Sequence, residues 1–210
     1  NDDVSIFRRQ YEFAMATAVP IFSLGALVAP AATPLHARLA KAGRLVEDGA
    51  EIAATPWSTN VIPAKMTRQE LFEGIRWLCN SIYHPAAFEQ RMSKLVDTLG
   101  STGVPLFARQ ETQVAKPRAV GTDGARMLQR IRHLGPDEEK MFLSIIKKLR
   151  GNRQAASEVL GCMLQYCQVR HMYERCQFWD PTLVPDADPM WHRQPFGAAE
   201  RSGAPAAALP

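Results

Sequence analysis

Apolar residues recur at helical spacing through most of the chain. Val4, Phe7, Tyr11 and Met15 stand three or four apart, with Arg8, Arg9 and Glu12 beside them. That pattern predicts an amphipathic helix over residues 4–17, with Asp2 or Asp3 as its cap. The pattern then changes. Ile21, Phe22, Leu24, Leu27 and Val28 form a near-continuous apolar run bounded by Pro20 and Pro30. Such a run suits a central strand buried on both faces. Residues 34–45 return to helical spacing, with Pro34 in the first turn, Leu35 and Leu39 on one face, and Gly43 near the end.

Residues 46–66 are irregular and carry Pro56, Trp57, Asn60 and Pro63. Thr67 and Glu70 then form a capping box, in which each side chain reaches the other residue's backbone. It opens a helix carrying Leu71, Ile75, Leu78, Cys79 and Ile82. His84-Pro85 breaks the chain and restarts it, because proline cannot continue a helix but begins one well. The next helix carries Phe88, Met92, Leu95, Val96 and Leu99. Residues 100–124 read as a connector, and Thr122 or Asp123 caps a short helix to about His133. Pro136 with Asp137, Glu138 and Glu139 opens another helix, which closes on Lys147, Lys148 and Arg150, matching the helix dipole at both ends. A last helix spans about residues 153–177.

The expected architecture is mainly α. Residues 1–45 read as helix, last strand and helix of an α/β layer. Residues 46–178 read as a helical domain, and residues 179–210 as an extended, disordered tail rich in Pro, Ala and Gly. No later strand pairs with residues 19–29, and a lone strand is unstable. The expectation is therefore a chain that works as part of a larger structure.

Composition narrows this further. Of 210 residues, 46% are hydrophobic and 22% charged, which are globular values. The net charge of +4 lies wholly in the second half. Between Arg109 and Arg153 there are 11 basic and 5 acidic residues. We read this as a solvated helical face, because aromatics are not interleaved with it as a nucleic-acid stacking platform requires. Residues 13–37 lack any charge, but Pro20, Gly25, Pro30 and Pro34 interrupt them, so they read as buried rather than membrane-spanning. No secretory signal opens the sequence, and the expected location is cytoplasmic.

Candidate chemistry is sparse. Cys162, Cys167 and Cys176 stand near His171, but Cys162 and Cys167 lie about 140° apart on a helix, so one metal cannot take all three. Core packing is the better reading for these thiols and for Cys79. No Gly-x-Ser-x-Gly, His-Glu-x-x-His or phosphate loop occurs. Trp57 and Asn60 lie in an irregular loop, where binding residues concentrate. For Trp57 a cap on the edge of the core is the favoured reading, because large aromatics bury most of their area.

Several stretches together resemble a known family. They are Phe7-Arg-Arg-Gln-Tyr-Glu-Phe, then Ala29-Pro30-Ala31-Ala32-Thr33-Pro34-Leu35, then Gly43-Arg44-Leu45. Thr59-Asn60-Val61-Ile62-Pro63, Glu70-Leu71-Phe72-Glu73-Gly74 and Ile82-Tyr83-His84-Pro85 follow. This resembles the C-terminal part of radical S-adenosylmethionine enzymes of the cobalamin-binding type. The likeness is fairly specific over residues 4–100 and weaker to about Tyr173. It implies that residues 1–45 end the α/β barrel and that the helical domain follows. It also implies that Leu27, Val28, Ala29 and Pro30 lie on the S-adenosylmethionine side, and the loop residues Trp57 and Asn60 are the candidates to face substrate. The family's Cys-x-x-x-Cys-x-x-Cys motif is absent here, so no cofactor is expected on this chain alone. For the parent enzyme the resemblance implies a four-iron–four-sulfur (4Fe-4S) cluster, S-adenosylmethionine and cobalamin. Its expected partners are the preceding barrel and cobalamin-binding region, with a small-molecule or lipid-like substrate and no nucleic acid. Ala32 stands where the family's turn has glycine. The other reading is an independent helical module that binds an acidic partner or nucleic acid through residues 109–153.

Overall fold

The computed structural model describes residues 2–46, 55–102, 122–152 and 155–184. Among these the protein has seven helices: α1 Ser5–Ala16, α2 Pro34–Lys41, α3 Arg68–Tyr83, α4 Pro85–Thr102, α5 Thr122–Ile131, α6 Pro136–Leu149 and α7 Ala156–Arg175. The mainly α reading holds. The strand expected over residues 19–29 does not form. A strand needs a partner edge, and the described residues offer no ladder, only an isolated antiparallel bridge between Leu45 and Val61. The basic residues 109–121 and the tail from 185 onward lie outside the described residues.

Local chemistry sets the helix ends. Asp3 accepts the Ser5 N–H at 3.0 Å and starts α1, and its bonds to Ser5 hold its carboxyl below the usual range. Thr33 caps α2 by accepting the His36 N–H at 3.2 Å. Gly43, at φ 62°, ends that helix in the left-handed conformation that glycine tolerates best. The Thr67–Glu70 box is complete, with the Glu70 N–H on Thr67 Oγ1 at 3.1 Å and the Thr67 N–H on Glu70 Oε2 at 2.6 Å.

Six of the helices share one core, while α2 buries Leu39 in a separate small cluster with Ala29 and Val61. α1 lies on α3, with the Phe7 ring directly over Gly74. A methyl group at Gly74 would stand 2.0 Å from that ring, so only glycine permits the approach. α3 and α4 meet at the His84-Pro85 corner, α4 packs along α6, and α5 packs against α7. On α7 the buried stripe is Val159, Met163, Tyr166, Cys167, Arg170 and Tyr173, at the spacing of one helical face. Tyr83, Tyr166, Tyr173 and Phe178 meet in the centre with ring centroids 5.3–6.3 Å apart. No helix among the described residues is long and apolar enough to cross a membrane.

Candidate functional site

Residues 18–30 form neither helix nor strand, yet their burial alternates as in a strand. Phe22, Leu24 and Ala26 turn inward, while Ser23, Gly25 and Leu27 are exposed. Side chains of the helical domain take the place of a neighbouring strand. The Tyr83 hydroxyl donates to the Phe22 carbonyl at 2.8 Å and accepts the Phe22 N–H at 3.2 Å. The Asn60 amide does the same for Ala29: its Nδ2 donates to the Ala29 carbonyl at 2.8 Å, and its Oδ1 accepts the Ala29 N–H at 2.9 Å. Thr59 Oγ1 donates to the Leu27 carbonyl, and the Ala26 N–H reaches the Thr55 carbonyl at 3.1 Å. Buried peptide groups must find partners, and here they find two side chains that donate and accept at once.

Arg91 fastens the start of the segment. It is fully buried, and its guanidinium donates to the carbonyls of Pro20 at 3.3 Å, Ile82 at 2.7 Å and Ala87 at 3.2 Å. Phe22 and Phe88 rings flank it at 5.8 and 5.9 Å. Burial lowers its pKa to about 10, so it stays charged at neutral pH. Lys94 donates to the Met15 carbonyl at the end of α1, where a cation suits the dipole.

The residues singled out by the resemblance thus fall together. Asn60 holds Ala29, and Thr59 beside it holds Leu27. Ala29 is buried, Val28 half-buried, and Leu27 and Pro30 exposed, with 61% of Leu27 open to solvent. Trp57 stands apart from this grip. It is 37% exposed and meets Phe178 edge-on at 5.4 Å. Thr59 and Tyr83 stand inside stretches that carry the resemblance but were given no role there, and Arg91 stands outside those stretches. The signal Arg91 leaves in the sequence is a charge on the buried face between Phe88 and Leu95.

Three of the four cysteines behave as core residues, whereas Cys176, also read as core, is exposed where the chain leaves α7. Cys79 and Cys167 belong to the main hydrophobic cluster, and Cys162 packs against it. Burial pushes the Cys79 thiol up to about 12 and the Cys167 thiol up to about 11. No group of three His, Cys, Asp or Glu among the described residues could hold a metal ion. A second buried arginine, Arg170, meets Glu138 at 3.0 Å and Glu174 at 3.1 Å, with its guanidinium 3.5 Å from the Trp179 ring centre. Asn80 holds the return of the chain, donating to the Phe178 carbonyl at 3.1 Å and accepting the Asp180 N–H at 2.8 Å.

A family model described as a domain of unknown function, DUF4070, matches residues 33–183. The chain belongs to this family. No curated protein and no solved structure matches it. The DUF4070 region begins at Thr33, just after the segment described above. Thr55, Thr59, Asn60, Tyr83 and Arg91 lie inside the DUF4070 region, while the peptide groups they hold, from Pro20 to Ala29, lie before it. The Asn80 grip on Phe178 and Asp180 falls near the region's other end. In this chain the DUF4070 region carries the side chains that fix the segment leading into it, Thr59 and Asn60 from the stretch before α3 and Tyr83 and Arg91 from α3 and α4.

Proposed function

We propose that this chain is the C-terminal portion of a cobalamin-type radical S-adenosylmethionine enzyme, closing its barrel and shaping its substrate cavity. The observation that supports this best is the grip of Asn60, Thr59, Tyr83 and Arg91 on residues 18–30. An apolar segment with strand-like alternation is held at its peptide groups by a helical domain, and it presents Leu27 outward. That is what a last barrel strand requires of the domain that follows it. The motif resemblance covers the same residues.

The residues present fit S-adenosylmethionine at Leu27–Pro30 in one respect. Leu27 and Ala29 are tied to the domain, while the Val28 peptide groups have no hydrogen-bond partner among the described residues. An adenine edge is recognised by such a backbone donor and acceptor, with the exposed Leu27 side chain covering its face. When bound, S-adenosylmethionine would supply the radical through the cluster of the preceding barrel, and this chain would supply position and exclusion of water. Asn60 acts here as a positioning residue, because both halves of its amide already hold Ala29. Trp57 stands at the edge of the domain, where it would border the substrate.

The test uses the intact protein that carries this chain. Its coding sequence should contain Cys-x-x-x-Cys-x-x-Cys upstream of Asn1. The reconstituted, reduced protein should convert S-adenosylmethionine to 5′-deoxyadenosine. Asn60→Ala should slow this conversion while iron content stays unchanged. An upstream region without the motif, or an intact protein without the conversion, would overturn the reading.

A further inference from the structure

Helices α5 and α7 touch at Met127 and Cys167, where the Cys167 thiol donates to the Met127 carbonyl at 3.7 Å. Beside that contact opens a cavity of about 890 Å³. Its size is that of a site for one small molecule, of roughly 300–1,000 Å³. Met127, Leu134 and Cys167 line its apolar part. Burial pushes Cys167 up to about 11, against a weaker downward pull from Arg130, so the thiol is neutral.

The rest of the lining is cationic or polar. Arg126 and Arg130, one turn apart on α5, face the same cavity as His133 and, from α7, His171. Among the described residues the one carboxylate in the lining is Glu174, which Arg170 engages at 3.1 Å. The Arg130 guanidinium has no acceptor among the described residues. Arg132, just outside the lining, is by contrast paired with Glu139 at 2.7 Å.

We infer that the groove between α5 and α7 binds an anionic amphiphile, a small molecule with a phosphate or carboxylate head and an apolar body. The head meets Arg130, whose planar donor fork suits either oxyanion, with His171 facing it from α7. The body lies against Met127, Leu134 and Cys167. This site is separate from the segment at residues 18–30, and the inference does not depend on the enzyme reading.

Calorimetric titration of the intact protein tests it, with decyl phosphate, decanoate and uncharged decanol as probes below their micelle concentrations. Saturable one-to-one binding of at least one anionic probe is expected, about tenfold or more tighter than decanol. The tighter anion identifies the head as phosphate or carboxylate. Arg130→Gln should weaken that binding by about tenfold, and His171→Ala should also weaken it. Both residues are exposed, so the melting temperature should hold, and either variant alone suffices as the control. The site does not exist if neither anion saturates, if decanol binds as tightly, or if the folded variants match the parent. Binding seen only with anionic vesicles or only with nucleic acid equally overturns it.

Discussion

Asn60 is the residue whose loss should be felt most sharply. Its amide closes a two-bond ring with the Ala29 peptide inside a buried pocket. Asn60→Ala would leave a donor and an acceptor without partners, at a cost of about 2–4 kcal/mol. Urea unfolding should show this as a lower midpoint, and an unchanged midpoint would contradict the role. The sequence placed Asn60 in a loop worth attention but not its partner, because a backbone group carries no residue signature. Arg91 was hidden for the same reason. Its acceptors are the carbonyls of Pro20, Ile82 and Ala87, and nothing in those residue types marks a carbonyl as available. Arg170 is different. It stands on the buried stripe of α7 and meets an acid from the first turn of α6, Glu138. A charge at a core position of the helical pattern is visible in sequence, though its partner is not.

Helices were legible because their ends are written in local chemistry. The Thr67–Glu70 box, Pro34 with Gly43, and the acids after Pro136 each satisfy nearby peptide groups or the dipole, and each stands where it was expected. Residues 18–30 were legible only by half. The apolar run suggested a strand buried on both faces, but only one side is buried and Leu27 is exposed, and a ladder depends on distant partners whose role side chains took. The turn into α2 carries a testable strain. Ala32 sits at φ 61°, where its Cβ crowds the backbone, and the Thr33 hydroxyl bonds to the Pro30 carbonyl at 2.7 Å to hold the turn. Ala32→Gly should therefore stabilise the protein by about 0.5–1 kcal/mol, the relief exceeding the added freedom of the unfolded chain. A thermal melt should shift upward by a few degrees, and a downward shift would show that the turn is not strained.

For the molecule as a whole, the buried thiols and phenols set a limit on the alkaline side. Cys79 and Cys167 rise from 9.0 to about 12 and about 11, and burial raises Tyr83 as well. Groups raised by folding favour the folded state below their unfolded values and lose that contribution as pH climbs toward the folded ones. Arg91, lowered to about 10, works in the opposite direction, but only from pH 10 upward. Stability should thus fall between pH 9 and 10, by at most about 1.4 kcal/mol per pH unit for each thiol. Melting temperatures across pH 7–10 check this, and Cys79→Ala should flatten the decline. The grip on residues 18–30 has a consequence for how the protein is made. Tyr83 and Arg91 are 61 and 71 positions away from the peptide groups they hold, and Asn60 is 31 away. On the ribosome the segment emerges long before any of them. Its peptide groups cannot be held by these side chains until the α3–α4 corner has been synthesised and formed, so the first part of this region to appear is among the last to settle.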